Sequence, residues 1–291
     1  MPEGTVVTSP NLHALVIRLM AGCSGDLRAT QGHLAHAAFL SILNQVDPSI
    51  AQAVHDYPKR KPFTLSPLGG FGRGRDGRLS IIAGQEGWLR VTLLDPHLFQ
   101  TFIRYFLEGG KPVIQLQRLP FQVSEILNNP ESHPLAGYDS LTALAGRWQT
   151  VNVAQDCDIG LAFNSPTAFS QRGGRFRQMR VLPDPDLLFG ELARYWDALT
   201  QDNSRDDVMD YAREAVVISR HKLETHMYEF RSSKQVGFTG SVVYKLLDKN
   251  ETTLIAHLNR LADLAFYTGV GYKTTMGMGQ VMRDNSLREA V

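Results

Sequence analysis

Histidine is the side chain best suited to transfer protons near neutral pH, because its free pKa is about 6.5. Among the nine histidines of the sequence, His55 is the first candidate for such chemistry. It ends a short predicted helix that begins at Asp47, and a basic run follows it, formed by Lys59, Arg60 and Lys61. The alternative is a cation at a helix C-terminus, which the helix dipole stabilises by about 0.3 to 1 kcal/mol without any catalysis.

His36 is the main competing histidine. It flanks the apolar face of a helix predicted over residues 34–46, where a boundary histidine that only packs is the simpler interpretation. His33, on the first turn of the same helix, is a weaker candidate.

The glycine-rich segment 269–279 is the most specific local feature of the chain. It has four glycines in eleven residues, and it lies between the last predicted helix and the last predicted strand. Lys273 adds charge and Thr274 and Thr275 add hydroxyl groups, so exposed backbone N–H groups here could cradle a phosphodiester backbone. A glycine-rich connector without a ligand is the equal alternative. The four glycines are Gly269, Gly271, Gly277 and Gly279.

Two nucleotide-binding motifs can be tested against the sequence. Residues 72–77 match G-x-G-x-x-G, but they lead from one predicted strand to another instead of opening a helix. The segment 269–279 lacks the G-x-x-x-x-G-K-[ST] order of ATP-binding loops. We therefore expect no nucleotide cofactor.

Composition limits the remaining classes of protein. The net charge of +1 over 291 residues does not indicate a general nucleic-acid binder, so an RNA-binding surface must come from local basic runs. One run covers residues 73–78, and a second contains Arg172, Arg175, Arg177 and Arg180 beside the aromatic Phe176.

Two cysteines are too few for a disulfide framework or a zinc site, so no metal is expected. Without a signal peptide or a long apolar run, the chain is predicted to be cytoplasmic.

The fold class follows from the order of helices and strands. Asp47, Asp95 and Asp184 each precede a proline, which predicts three helix starts. Strand-like runs alternate with helices in the order βαββαβ, and the second half repeats that order less cleanly. We predict an α+β fold of two tandem ferredoxin-like domains, residues 1–140 and 141–291, with a linker over residues 128–150. A single larger α+β domain is the alternative.

Several of these segments resemble one known family. The segment 269–279 resembles the C-terminal glycine-rich motif of the Cas-six family of CRISPR endoribonucleases. Residues 161–169 resemble the strand that enters the family's second domain, and residues 47–55 and 61–68 resemble its first-domain helix and strand. The resemblance implies a protein that cuts precursor CRISPR RNA within each repeat. It further implies 5′-hydroxyl and 2′,3′-cyclic phosphate ends, and no need for a metal or cofactor.

The resemblance also implies roles for individual residues. It places the catalytic histidine at His55 and a lysine that stabilises phosphorane charge at Lys61, with His36 as the competing contributor. Some relatives have a tyrosine in the first helix, where the nearest match here is Leu40. The residues expected to contact RNA are Lys59, Arg60, Arg172, Arg175, Arg177, Arg180, Gly269, Gly271, Lys273, Thr274, Thr275, Gly277 and Gly279.

Two functions remain open at this point. One is a repeat-specific endoribonuclease, and the other is a non-catalytic subunit of the same fold that holds repeat RNA, which the missing tyrosine favours. The expected partner is CRISPR repeat RNA, as precursor and as mature crRNA. Effector-complex subunits and a second copy of the chain are further candidate partners, and no membrane is expected.

Overall fold

The computed structural model describes residues 11–28, 31–58, 60–73, 78–108, 112–173, 175–230 and 233–289. Its first half contains nine strands and three helices within the described ranges. In chain order they are β1 (Leu12–Ala21), β2 (Gly25–Arg28), α1 (Gly32–Val46), α2 (Pro48–Asp56), β3 (Phe63–Leu65), β4 (Gly72–Arg73), β5 (Arg78–Ile81), β6 (Glu86–Leu93), α3 (Pro96–Glu108), β7 (Val113–Leu116), β8 (Leu119–Leu127) and β9 (Gly137–Asp139).

The second half continues with six helices, one short 3₁₀ helix and six strands in the described part of the chain. They are α4 (Leu141–Arg147), α5 (Val153–Asp156), β10 (Asp158–Thr167), β11 (Phe169–Gly173), β12 (Phe176–Arg180), α6 (Pro185–Thr200), α7 (Arg205–Ala215), β13 (Val216–Glu229), β14 (Lys234–Leu246), α8 (Thr252–Thr268), the 3₁₀ helix η1 (Thr274–Met276), β15 (Val281–Arg283) and α9 (Ser286–Glu289).

Two antiparallel sheets share one strand order. The first runs β3-β6-β1-β8-β7 with β9 added beside β1, and the second runs β13-β14-β10-β15. In each, the strand that begins the βαββαβ unit lies between the third and the fourth, which is the ferredoxin-like arrangement. The predicted α+β fold of tandem ferredoxin-like units is confirmed.

The three aspartate-proline sequences do begin helices. Asp47 accepts hydrogen bonds from the backbone N–H groups of Ser49 and Ile50, at 2.9 and 3.3 Å, and so caps α2. Asp95 caps α3 through the N–H of Leu98 at 2.8 Å. Asp184 stands before α6 without a side-chain cap bond, so the proline alone sets that start.

Aromatic packing fixes helix α1 on the first sheet. The ring of Phe39 lies 4.2 Å from that of Phe63 on β3 and 5.2 Å from that of Phe102 on α3, and all three side chains are buried. Each buried ring of this size stabilises the fold by about 1.5 to 3 kcal/mol. The helix that carries His36 is therefore held firmly.

The prediction of a linker over residues 128–150 is wrong for the last part of that segment. Its last part forms β9, whose residues pair with Leu12 to Ala14 of β1, and α4. The side chain of Leu144 on α4 is fully buried in the second core, the hydrophobic cluster packed against the second sheet; the corresponding cluster on the first sheet is the first core. Pro130 and Pro134 oppose regular structure only in the first part. The prediction failed because the free edge of β1 recruits residues 137–139, and a pattern of local residues does not show that edge.

A buried arginine joins the two sheets. Arg90 on β6 donates to the carbonyl oxygens of Leu135 (2.7 Å) and Phe266 (2.6 Å) and to Oε1 of Gln280 (2.7 Å). Burial lowers the pKa of Arg90 to about 9, and the three hydrogen bonds keep its guanidinium charged at neutral pH. In the described ranges, no helix combines the length and the apolar character needed to cross a membrane.

Candidate functional site

The glycine-rich segment 269–279 forms a tight loop between the two sheets. Its four glycines all have positive φ, at 59°, 84°, 89° and 72° in chain order. Side chains are also excluded by close approaches: a Cβ at Gly279 would lie 2.0 Å from the Val270 carbonyl oxygen, and one at Gly271 would lie 2.5 Å from that of Ala168. The glycines are thus required by the path of the loop itself.

Most backbone N–H groups of this loop donate hydrogen bonds to other atoms of the protein. Gly269 donates to Ala265 O, Gly279 donates to Pro166 O, and Gly271 donates to Oε1 of Glu191. For Gly269, Gly271 and Gly279, this corrects the expectation that exposed backbone N–H groups of the loop could cradle phosphate. The loop is mostly buried, and its role in contacting RNA stays a prediction that rests on other atoms.

The side chains of the loop also face protein. The ammonium of Lys273 lies 3.5 Å from the ring centroid of Phe230, in a cation–π contact, and Thr274 is buried. Phosphate contact through the Lys273 ammonium would therefore compete with this aromatic partner.

The loop touches the start of helix α1 without a gap. A Cβ built at Gly32 would lie 1.7 Å from the carbonyl oxygen of Met276. No side chain fits there, so Gly32 lets the backbone of the loop rest against the helix. Sequence reasoning missed Gly32, because one glycine in a helical pattern carries no signal of such a contact.

His36 is the histidine that this contact positions. Its Nδ1 lies 3.1 Å from the carbonyl oxygen of Thr275, and its ring is half-buried beside Phe63. A carbonyl oxygen can only accept, so Nδ1 carries the proton and, in the neutral ring, Nε2 keeps its lone pair. Burial lowers the pKa of His36, with the Thr275 hydrogen bond opposing the shift and the charges of Lys61 and His55 adding to it.

Lys61 lies at the end of helix α2, close enough to His36 to affect its charge. Its ammonium donates to the carbonyl oxygens of Val54 and His55, at 2.7 and 2.5 Å. Burial lowers the pKa of Lys61, while Asp56 opposes that shift. These hydrogen bonds hold the ammonium at the end of α2, within electrostatic reach of His36.

His55 occupies the last turn of α2 with an exposed side chain. Its backbone carbonyl holds Lys61, and its ring lies within electrostatic reach of His36. The structure thus brings together His36, His55 and Lys61, all three predicted catalytic residues. Of the two histidines, His36 is the one with a ring hydrogen bond to the loop, through the carbonyl oxygen of Thr275.

Arg60 has a partner that the sequence did not reveal. Its guanidinium forms an ion pair with Glu191 at 2.5 Å and lies 4.5 Å from the ring centroid of Tyr195. Glu191 also accepts the N–H of Gly271, so this carboxylate ties the loop to α6. The expected RNA contact of Arg60 must therefore compete with a partly buried ion pair, whose carboxylate lies in the other half of the chain.

The second basic run forms the hairpin β11–β12. Arg175, Phe176 and Arg180 are exposed on it, and Arg180 pairs with Asp184 at 3.5 Å. The hairpin borders a groove of about 960 Å³ whose other wall is α6. The side chains of Arg172 and Arg177, and all of Lys59, lie outside the described part of the structure.

The position of the family's tyrosine carries no hydroxyl here. Leu40 packs against the first core, and the neighbouring Phe39 is buried. Among the described residues, no cluster of three or more His, Cys, Asp or Glu side chains is arranged to hold a metal ion.

Comparisons with known proteins point to one family. The model of the CRISPR Cas6 N-terminal domain matches residues 11–144, and the model of the CRISPR-associated endoribonuclease Cas6 matches residues 161–281. The CRISPR-associated endoribonuclease Cas6 of Streptococcus thermophilus is 27% identical over 125 residues, which are 42% of this chain and 49% of that protein. This match thus spans about half the length of the curated relative.

Solved structures extend the similarity over nearly the whole chain. The product complex of a Cas6 from Thermus thermophilus is 29% identical, with a TM-score of 0.79 over 94% of this chain and 100% of that one. A substrate-mimic complex of another Cas6 protein is 27% identical, with a TM-score of 0.67 over 94% of this chain and 99% of that one.

Proposed function

Because this chain belongs to the family of CRISPR-associated endoribonucleases Cas6, we propose that it cuts precursor CRISPR RNA within its repeats. The reaction is a transesterification that needs no metal ion and leaves 5′-hydroxyl and 2′,3′-cyclic phosphate ends. The observation that carries this proposal is the orientation of His36 by the Thr275 carbonyl oxygen beside the fixed charge of Lys61.

The chemistry requires three things of the protein. The 2′-hydroxyl must lose a proton as it attacks the adjacent phosphorus, the 5′-oxygen must gain one as it leaves, and the pentavalent phosphorane must be stabilised. A neutral His36 accepts the first proton at Nε2, since Nδ1–H is held by Thr275. A lowered pKa keeps that nitrogen unprotonated at neutral pH.

Lys61 supplies the positive charge for the phosphorane. Its carbonyl partners at the end of α2 hold the ammonium near His36 without neutralising it, because carbonyl groups carry no net charge. His55, exposed at the end of α2, is the candidate donor of the proton that the leaving 5′-oxygen gains, with water as the alternative donor. His55 is also the competing acceptor of the 2′-hydroxyl proton.

RNA binding is assigned to the exposed basic residues. Arg175 and Arg180 on the hairpin β11–β12 are accessible to phosphates, and Phe176, 71% exposed, can stack on an unpaired base. The Cas6 relatives solved as product and substrate-mimic complexes support repeat RNA as the ligand. Effector-complex subunits, a homodimer and a cytoplasmic location stay predictions.

The test is cleavage of a labelled repeat transcript in EDTA by wild type, His36→Ala and His55→Ala. His97→Ala is the matched control, since His97 is an exposed histidine on α3. We expect His36→Ala to lose about 10²- to 10⁴-fold in single-turnover rate, with RNA affinity retained. The 3′ end of the product should resist phosphatase until the cyclic phosphate is opened.

Other results would reassign the function. If His55→Ala alone abolished cutting, the proton transfer would belong to His55. If wild type bound the repeat at high affinity without cutting it, the non-catalytic RNA-binding subunit would be the correct function, and Leu40 at the tyrosine position favours that alternative. A requirement for added metal ion would refute the proposed mechanism.

A further inference from the structure

Two arginines stand directly opposite each other on the small sheet β2-β5-β4. Arg28 ends β2, Arg78 begins β5, and the two residues are a register pair of the antiparallel ladder. Side chains at such positions lie about 5 Å apart at Cβ, and like charges placed there destabilise the pairing. Such a pair is an expected feature of a site that holds an anion.

A cavity of about 520 Å³ opens beside this pair. The described residues that line it are Arg28, Arg78, His33, Leu34 and Gln117, none of which is acidic. Both arginines are exposed, and the guanidinium fork fits the oxygens of a phosphate. Gln117, at the turn between β7 and β8, brings a neutral amide to the same space.

Glu229 is a carboxylate within electrostatic reach of Arg28. Glu229 at the end of β13 forms an ion pair with Lys234 at 2.9 Å, and the pKa of Glu229 is lowered mainly by that lysine and least by Arg28. Glu229 is thus paired with a cation of its own, and the permanently charged side chains among the described residues that line the cavity are Arg28 and Arg78.

The cavity is adjacent to the proposed catalytic site. His33 and His36 are three residues apart on α1, so their side chains neighbour each other on one face of the helix. The cavity therefore borders the part of α1 that carries His36.

We propose that this cavity, formed by Arg28, Arg78 and His33, binds a backbone phosphate of the RNA close to the cleaved bond. The inference rests on the proposed function for the identity of the RNA. It adds a subsite on the first domain, separate from the hairpin β11–β12 and from the glycine-rich loop. Its function is to fix the register of the strand, so that one phosphodiester bond meets His36.

The test measures binding without cleavage. A repeat RNA with a 2′-deoxy nucleotide at the cut site has no attacking hydroxyl, so its affinity reports binding alone even if the protein proves not to be a nuclease. The variants are Arg78→Ala, the double variant Arg28→Ala with Arg78→Ala, and Arg78→Glu. Arg104→Ala is the control, because Arg104 is an exposed arginine on α3 of the same domain and pairs with Glu108.

We expect each lost arginine to weaken binding about tenfold at low salt and to lower the slope of log Kd against log salt by about 0.7 to 1. Methylphosphonate substitution of single phosphates near the cut site should weaken binding to wild type at one position. That effect should vanish in the double variant. The melting temperature should stay close to that of wild type, because both arginine side chains are exposed.

Three results would overturn the proposal. The first is an unchanged affinity and salt slope in the double variant, equal to those of Arg104→Ala. The second is a loss of affinity that follows only from a lower melting temperature. The third is stabilisation of the protein by inorganic phosphate through these arginines with no change in RNA binding, which would assign the cavity to a free anion. If wild type does not cut the RNA, the proposed function is refuted. The binding measurement with the 2′-deoxy RNA still tests the cavity, because it does not depend on cleavage.

Discussion

Replacing Gly32 by alanine should slow RNA cleavage by about a hundredfold, although Gly32 has no reacting atom. The new Cβ would lie 1.7 Å from the carbonyl oxygen of Met276, and the shortest ordinary contact for such an atom is about 3.4 Å. The loop and α1 must therefore separate by about 1.7 Å, the difference between the two distances. The contacting atoms near Gly32 belong to backbone, so a rotamer change cannot relieve the clash.

That displacement is large compared with what the His36 hydrogen bond tolerates. The Nδ1 to Thr275 O distance is 3.1 Å, and a contact of about 3.6 Å is no longer a hydrogen bond. A misplacement of about 1 Å at a catalytic group can cost about a hundredfold in rate, which corresponds to about 2.7 kcal/mol in activation free energy.

The assay compares single-turnover cleavage rates and thermal unfolding of Gly32→Ala with those of Gly146→Ala. Gly146 lies in helix α4, where a new Cβ would have no atom within 4 Å, so this control keeps the wild-type rate and gains up to about 1 kcal/mol from helix propensity. A Gly32→Ala protein that cuts at the wild-type rate would refute the role of the loop in orienting His36. If the variant is destabilised, RNA affinity at low temperature shows whether it remains folded.

Three further predictions follow from the same contacts. The cleavage rate should fall as the pH drops through a pKa below 6.5, because burial lowers the pKa of His36 and protonation removes the lone pair of Nε2. An acidic limb centred above pH 6.5 in a single-turnover pH profile would contradict this. In urea unfolding, Glu191→Gln should lower the free energy of unfolding by about 1.5 to 3 kcal/mol, since Arg60 and the Gly271 N–H lose a charged acceptor. The control Glu108→Gln removes an exposed ion pair and should lower it by less than about 1 kcal/mol. By the same method, Arg90→Met should lower the free energy of unfolding by about 3 kcal/mol or more, because two carbonyl oxygens and the Gln280 side chain lose their donor. A stability equal to that of wild type would mean that water replaces the guanidinium.

Local chemistry made much of the fold predictable from the sequence. Helices α2, α3 and α6 begin where an aspartate precedes a proline, and the alternation of strands and helices gave the βαββαβ order of both sheets. Sequence patterns did not predict β9 or the burial of α4, because both depend on partners far along the chain: β9 on the edge of β1, and Leu144 on the second core.

The residues of the candidate site were identified from the sequence, and their catalytic roles stay predictions. His36, His55 and Lys61 were all chosen, but the sequence favoured His55 for its position beside basic residues. The feature that distinguishes His36 is a hydrogen bond to a residue 239 positions away, and no local pattern contains it. The pairing of Arg60 with Glu191 was hidden for the same reason, since a charge in a basic run looks solvated until its distant partner is known.

In the proposed mechanism, the glycine-rich loop acts on the chemistry through its backbone atoms. Its positive-φ glycines let the chain turn between the sheets, Gly271 N–H anchors it to Glu191, and contact with Gly32 presses it against α1. The carbonyl oxygen of Thr275 is then fixed beside His36, and it can accept a hydrogen bond only from a ring nitrogen that carries a proton. In the proposed mechanism, the loop thereby determines which imidazole nitrogen of His36 remains free to accept the proton of the 2′-hydroxyl.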